Sequence, residues 1–208
     1  MRLATLLLLS GSIAGVSASQ ELAPPAGWRV RSDAPPSKPI YYVEMPPGWH
    51  ITTGPGSILH DPTCVAQGRF ALETEIFLFP GTSQEGYGLI AGGKQLDDDP
   101  VYVAFLLRRD GSAATESHAG GRQTPVRAWT RHDAVKPGDA KEPVANVLRV
   151  VAEVADVTME VNGKPVLSVP RGEVELDGLF GFRAGADVNL HASRLDATRL
   201  LAPPRKKK

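Results

Sequence analysis

The sequence predicts an all-β domain, a two-sheet antiparallel β-sandwich. Two observations carry this. From residue 40 onward the chain is a succession of short runs rich in β-branched and aromatic residues, separated by Gly, Pro, Asn and Asp, and no stretch shows a helix-length amphipathic period. Within several runs apolar and polar residues alternate, the pattern of strands with one face buried and one wet, as in antiparallel sheets packed face to face.

Taken in order, residues 1–18 (MRLATLLLLSGSIAGVSA) place Arg2 before an apolar stretch, with Val16, Ser17 and Ala18 after it. This has the make-up of a secretory signal peptide cut after Ala18, so the expectation is a secreted or periplasmic protein. The apolar stretch is far shorter than the roughly 20 residues of a membrane-spanning helix, and no transmembrane segment is expected. Residues 19–39 contain Pro24, Pro25, Pro35, Pro36 and Pro39, which lack the amide donor a helix needs, and read as a Pro-rich extended lead-in. The sandwich is assigned to 40–201, and 202–208 is a basic tail.

The strands expected within the sandwich are 41–44, 49–53, 68–79, 87–91, 101–109, 113–118, 126–130, 145–155, 157–161, 165–169, 178–183 and 188–200. About a dozen strands fill two sheets, more than a small barrel uses. Asn162-Gly163 predicts a tight type I′ hairpin joining 157–161 to 165–169, and Asp110-Gly111 predicts the same between 101–109 and 113–118. Alternation puts Leu148, Val150, Ala152 and Val154 on one side of their strand and Arg149, Val151, Glu153 and Ala155 on the other. Val157, Met159 and Val161 likewise point away from Thr158 and Glu160. No repeat of propeller or solenoid period occurs.

The 208-residue chain holds 23 basic and 23 acidic residues. Setting aside Arg2 and the tail Arg205, Lys206, Lys207 and Lys208 leaves 18 basic against 23 acidic, a mildly acidic body without the basic face a nucleic-acid partner requires. The tail is a solvated charge run with polyanion binding as its functional alternative. Cys64, the single cysteine, cannot form an internal disulfide, so stability must come from the core.

The second half, with its VTMEVNGKPV hairpin, its DGLFGFRAG segment and a closing strand of alternating apolar residues, resembles the jelly-roll domains of the concanavalin A-like lectin and glucanase superfamily. That superfamily includes laminin-G-like modules and the 3-keto-disaccharide hydrolase group. Asn162, Gly163, Lys164 and Pro165 match the hairpin, and Asp177, Gly178, Gly181 and Phe182 the strand that follows. TGPGSILHDP, GRFALETEIFLFPG and EGYGLIAGG correspond more loosely to the first half. The resemblance spans residues 40–201. It implies carbohydrate binding or glycan recognition of an oligo- or polysaccharide, with two alternatives: a glycoside hydrolase like the 3-keto-disaccharide group, or an envelope protein-interaction module with no sugar ligand and a partner of unknown identity.

Several residues could carry such chemistry. Glu73 and Glu75 share a strand face with Cβ atoms roughly 6.6 Å apart. They are the candidate catalytic acids, although two acids side by side on one strand do not flank a scissile bond as an inverting pair must. Four and five residues beyond Glu73 stand Phe77 and Leu78, where laminarinase-type jelly rolls carry their second acid; the alternative is the solvent side of a central strand. Asp97, Asp98 and Asp99 form an oxygen-rich loop, a candidate for calcium, the one cofactor considered, or else a solvated turn. His60 and Cys64 have metal-ligand spacing without a second pair to complete a site, and read more simply as a buried thiol near an exposed imidazole. Because pyranose faces stack on aromatic rings, Tyr87, Tyr102 and Trp129, with Arg131 and His132 in the same RAWTRHD corner, are candidate ligand-binding residues. The alternative for Trp129 is a core plug at a strand end.

Overall fold

The computed structural model describes residues 23–35 and 40–201. The leader 1–18, residues 19–22 and 36–39 of the lead-in and the basic tail 202–208 lie outside the described residues. Fourteen strands build two antiparallel sheets. The front sheet contains β1 (Arg29–Ser32), β4 (Ser57–Ala66), β6 (Tyr87–Lys94), β7 (Val101–Leu107), β8 (Ser112–Ala119), β9 (Arg122–Arg131) and β13 (Gly178–Ala184), in the order β1-β4-β13-β6-β7-β8-β9. The back sheet contains β2 (Tyr41–Glu44), β3 (Trp49–Thr52), β5 (Phe70–Leu78), β10 (Val144–Ala152), β11 (Asp156–Val161), β12 (Lys164–Pro170) and β14 (Asn189–Arg199), in the order β12-β11-β10-β5-β14-β3-β2. A short 3-10 turn, Arg171–Glu173, follows β12. The architecture is the two-sheet sandwich that the alternation predicts.

The core lies between the sheets. Leu72, Ile76 and Leu78 of β5 and Leu148, Val150 and Ala152 of β10 meet Leu89 of β6 and Val103, Phe105 and Leu107 of β7, all almost wholly buried. Each fully buried side chain of this size contributes about 1.5–3 kcal/mol relative to exposure. The expected alternation holds along β10 as far as Ala152. There the strand ends, leaving Val154 at 76% exposure.

Turn chemistry fixes the register of the hairpins. Asn162 and Gly163 both have positive φ, 52° and 74°, and Val161 pairs with Lys164, as a type I′ turn requires. Asn162 also donates through Nδ2 to the Ala134 carbonyl and to Asn146 Oδ1, both at 2.8 Å, while its Oδ1 accepts from the Val147 amide at 3.0 Å. This ties the turn to the loop after β9. The β7–β8 connection joins the expected strands by a different turn. Gly111 alone takes positive φ, at 85°, its amide donates to the Arg108 carbonyl, and Asp110 instead accepts from the Ser112 amide and hydroxyl.

Two strands lie outside the runs read from strand period, although the resemblance places an opening strand at TGPGSILHDP, where the second begins. β1 lies inside the lead-in and pairs with β4, from Arg29↔His60 to Ser32↔Ser57. Trp28 just before it stacks on Phe182 and meets Tyr42 and Trp49, so this part of the lead-in belongs to the sandwich. β4 is hidden in sequence by Pro62, which falls where its pairing with β13 is irregular, between His60 and Val65. On β4 the expected burial of His60 and Cys64 is reversed: His60 is 1% exposed, and the Cys64 thiol is free and only partly covered. Among the described residues no helix is long and apolar enough to cross a membrane.

Candidate functional site

β7 reads VYVAFLL, and all of it beyond Val101 is buried. A strand with only one covered face would alternate, so both faces of β7 are occupied. Val103, Phe105 and Leu107 enter the core between the sheets. Tyr102, Ala104 and Leu106 point the other way and join Ile58, Ile90 and Leu96 in a second apolar cluster on the outer face of the front sheet. Trp129 packs against this cluster.

Register then brings polar groups over it. Tyr102 is paired with His118 and Ala104 with Glu116, so both polar side chains of β8 share the face of the second cluster. The Tyr102 and His118 rings stack with centroids 4.4 Å apart and an interplanar angle of 10°. Trp129 Nε1 donates to Glu116 Oε1 at 3.1 Å, and the Arg108 guanidinium lies 3.7 Å over the indole, a cation–π contact that fixes the ring. His118 Nε2 stands 3.5 Å from Glu116 Oε2, near enough for charge interaction but without a hydrogen bond of its own. Arg183 of β13 grips Asp33 through both terminal nitrogens, and Arg31 of β1 lies 3.8 Å from the same carboxylate.

The electrostatics follow from this packing. Burial alone pushes the Glu116 carboxyl up, but the adjacent His118 ring and the donors of Gln123 and Trp129 outweigh it and hold Glu116 below its ordinary value. Burial raises the Tyr102 phenol to about 12, so it remains a neutral hydroxyl at physiological pH. Two adjoining hollows open along this face. One, of about 210 Å³, is lined by Arg31, Tyr102, His118, Arg122 and Arg183 among others; the second, of about 40 Å³, reaches Arg108, Glu116 and Trp129. His118, Gln123 and Arg183 line both.

The expected ligand residues therefore separate. Tyr102 and Trp129 come together through His118 and Glu116. Trp129 is a half-buried ring on the outer face and not a plug between the sheets. Tyr87 lies in the intersheet core at 1% exposure and presents no ring to a ligand. Arg131 sits at the end of β9, 3.8 Å from Asp110, and His132 turns into the loop, where its Nδ1 accepts from the Ala134 amide.

Glu73 and Glu75 project from the outer face of the back sheet. Glu73 accepts from Arg194 Nη2 at 2.5 Å and lies 3.6 Å from Arg149 Nε; Glu75 accepts from the Ser193 hydroxyl at 2.8 Å. Arg149 also donates to Glu160, and Arg194 pairs with Asp196, so the charges form a self-satisfied ladder. A hollow of about 390 Å³ lies beside Glu73, and another of about 350 Å³ lies between Val65, Phe70 and Arg199. Both are larger than the front hollows. Phe70 lines the second, with the Arg171 guanidinium 5.9 Å over its ring, but at 3% exposure it offers a ligand almost no ring face. In the triple-aspartate loop, Asp97 is bound to Arg29 at 2.5 Å, and among the described residues no three His, Cys, Asp or Glu side chains converge as a metal site requires.

No protein-family model and no curated protein matches this sequence. Solved structures do. A carbohydrate-binding module, CBM66 from Bacillus subtilis, superposes with a TM-score of 0.62 at 13% identity, over 83% of this chain and 95% of that one. A Bacillus subtilis protein of unknown function with a galectin-like fold gives 0.60 at 11% identity, over 83% and 89%. The exoplasmic/lumenal domain of VIP36, in its Ca²⁺/Man-bound form, gives 0.58 at 11% identity, over 86% and 85%.

The fold is that of the concanavalin A-like lectins. Within this concanavalin A-like sandwich, sequence reasoning missed Arg108, Glu116, His118 and Arg183. One local signal for the middle pair was available: in SAATESHA of β8, Ala114, Glu116 and His118 alternate on one face opposite the continuous apolar run of β7.

Proposed function

We propose that this protein is an exported saccharide-binding protein whose ligand lies on the outer face of the front sheet. The observation that carries the reading is the Trp129 ring, fixed by Arg108 and Glu116 beside the Tyr102–His118 stack. A sugar binds where an apolar ring can cover its C–H face while fixed polar groups meet its hydroxyls. The carbohydrate-binding module that shares the fold supports the same reading.

The test is electrophoresis of the full chain through native gels containing single polysaccharides. Retardation by at least one polysaccharide is expected, lost in Trp129→Ala and kept in Phe77→Ala on the back sheet. Equal retardation of Trp129→Ala and the parent overturns the assignment. Export is tested separately: N-terminal sequencing of the secreted product should begin after Ala18, and a protein retained inside the cell with residues 1–18 intact contradicts it.

A further inference from the structure

The donor and acceptor balance of the front hollows narrows the ligand. Four arginines line them, Arg31, Arg108, Arg122 and Arg183, against the carboxylates Asp33, Glu85 and Glu116. Two of those carboxylates are already spent inside the protein. Asp33 is gripped by Arg183 with Arg31 alongside, and Glu116 receives the Trp129 indole N–H and faces His118.

The donors, by contrast, are in surplus. The Arg108 Nε–H is buried and has no hydrogen-bond partner, a costly state for a group that stays protonated at all accessible pH. The Arg122 guanidinium has no partner among the described residues. One carboxylate, Glu85, remains exposed at the rim. A neutral saccharide can accept from these donors through its hydroxyl oxygens but leaves their positive charge unmatched. One bringing its own anionic acceptors answers it, because guanidinium meets carboxylate or sulfate oxygens in strong, paired hydrogen bonds.

We infer that the front face takes an anionic saccharide, a sugar acid or sulfated sugar whose charged group meets Arg108 and Arg122 while its ring lies against Trp129. This rests on the front face being the saccharide site. The mildly acidic body of the chain disfavours such a ligand elsewhere on the sandwich, and the basic tail is the competing site that the experiment separates.

The experiment compares the full chain's affinity for polygalacturonate, the same polymer with its carboxyls reduced to hydroxymethyl groups, dextran sulfate and dextran. Polygalacturonate should bind about tenfold or more tighter than its reduced form, weakening as salt rises. Arg122→Gln, an exposed change that leaves the core intact, should weaken binding about threefold or more, and Glu85→Gln, which removes the opposing charge, should tighten it. Dextran sulfate binding without dextran binding, showing the same variant pattern, keeps the anionic class with sulfate as its source. Equal, Trp129-dependent binding of polygalacturonate and its reduced form overturns the anionic requirement while leaving the saccharide site in place. Polyanion binding unmoved by Trp129→Ala and Arg122→Gln transfers it to the basic tail and overturns both, and binding to none of the four overturns the inference.

Discussion

The two outer faces of the sandwich carry similar charges in opposite states of satisfaction. On the back sheet, Glu73, Arg149, Glu160, Arg194 and Asp196 stand on neighbouring strands, and each is paired with an opposite charge. On the front sheet Asp33 and Glu116 are engaged in holding the β1 end and Trp129, while Arg108 and Arg122 are left with unpaired donors. A charged face becomes a binding face when its groups are held in place yet not fully paired. The back face is held by its own ladder and has no such remainder.

The contrast between the faces can be broken at four positions. Tyr87→Ala should cost about 3–5 kcal/mol in urea denaturation, because its ring fills the core between the two faces. A loss of ligand affinity with unchanged stability would instead place Tyr87 on a binding face. Trp129→Ala should weaken saccharide binding tenfold or more, about 1.4 kcal/mol, whereas Phe77→Ala on the back face should leave it unchanged.

The third prediction concerns pH. Glu116 is held below its ordinary value of 4.5 in the folded protein. Its stabilising contribution is therefore present above that value and lost as pH falls through the lower folded value. Stability should decline below about pH 4.5, and Glu116→Gln should flatten that decline. An unchanged acid profile in Glu116→Gln would show that the front carboxylate is not held as described. Last, Glu73→Gln should change stability by less than about 1 kcal/mol and leave saccharide binding intact, as befits a partly exposed surface pair. Abolished binding or activity in that variant would move the site to the back face.

Strand pattern made most of the sandwich readable. The alternation through Leu148, Val150 and Ala152, and through Val157, Met159 and Val161, put the core faces where they lie, and Asn162-Gly163 set a hairpin. Strand period missed β1 and β4, the latter indicated only by the resemblance at TGPGSILHDP, because prolines surround one and interrupt the other, and their pairing depends on partners distant in sequence. The same distance hid half of the site. Tyr102 and Trp129 are recognisable by chemistry alone, but Arg183 reaches their face only because β13 inserts between β4 and β6. Arg108 is placed over Trp129 by the β7–β8 turn, whose conformation differs from the one its Asp-Gly pair predicts.

Chemical-shift mapping of the isotope-labelled protein with a bound oligosaccharide separates a ligand on the front face from one on the back. Perturbations centred on Tyr102, Arg108, Glu116, His118 and Trp129, with Glu73, Arg149 and Arg194 unmoved, are expected. Perturbations centred on Glu73 and its arginines, with Trp129 unmoved, would contradict binding at the front face.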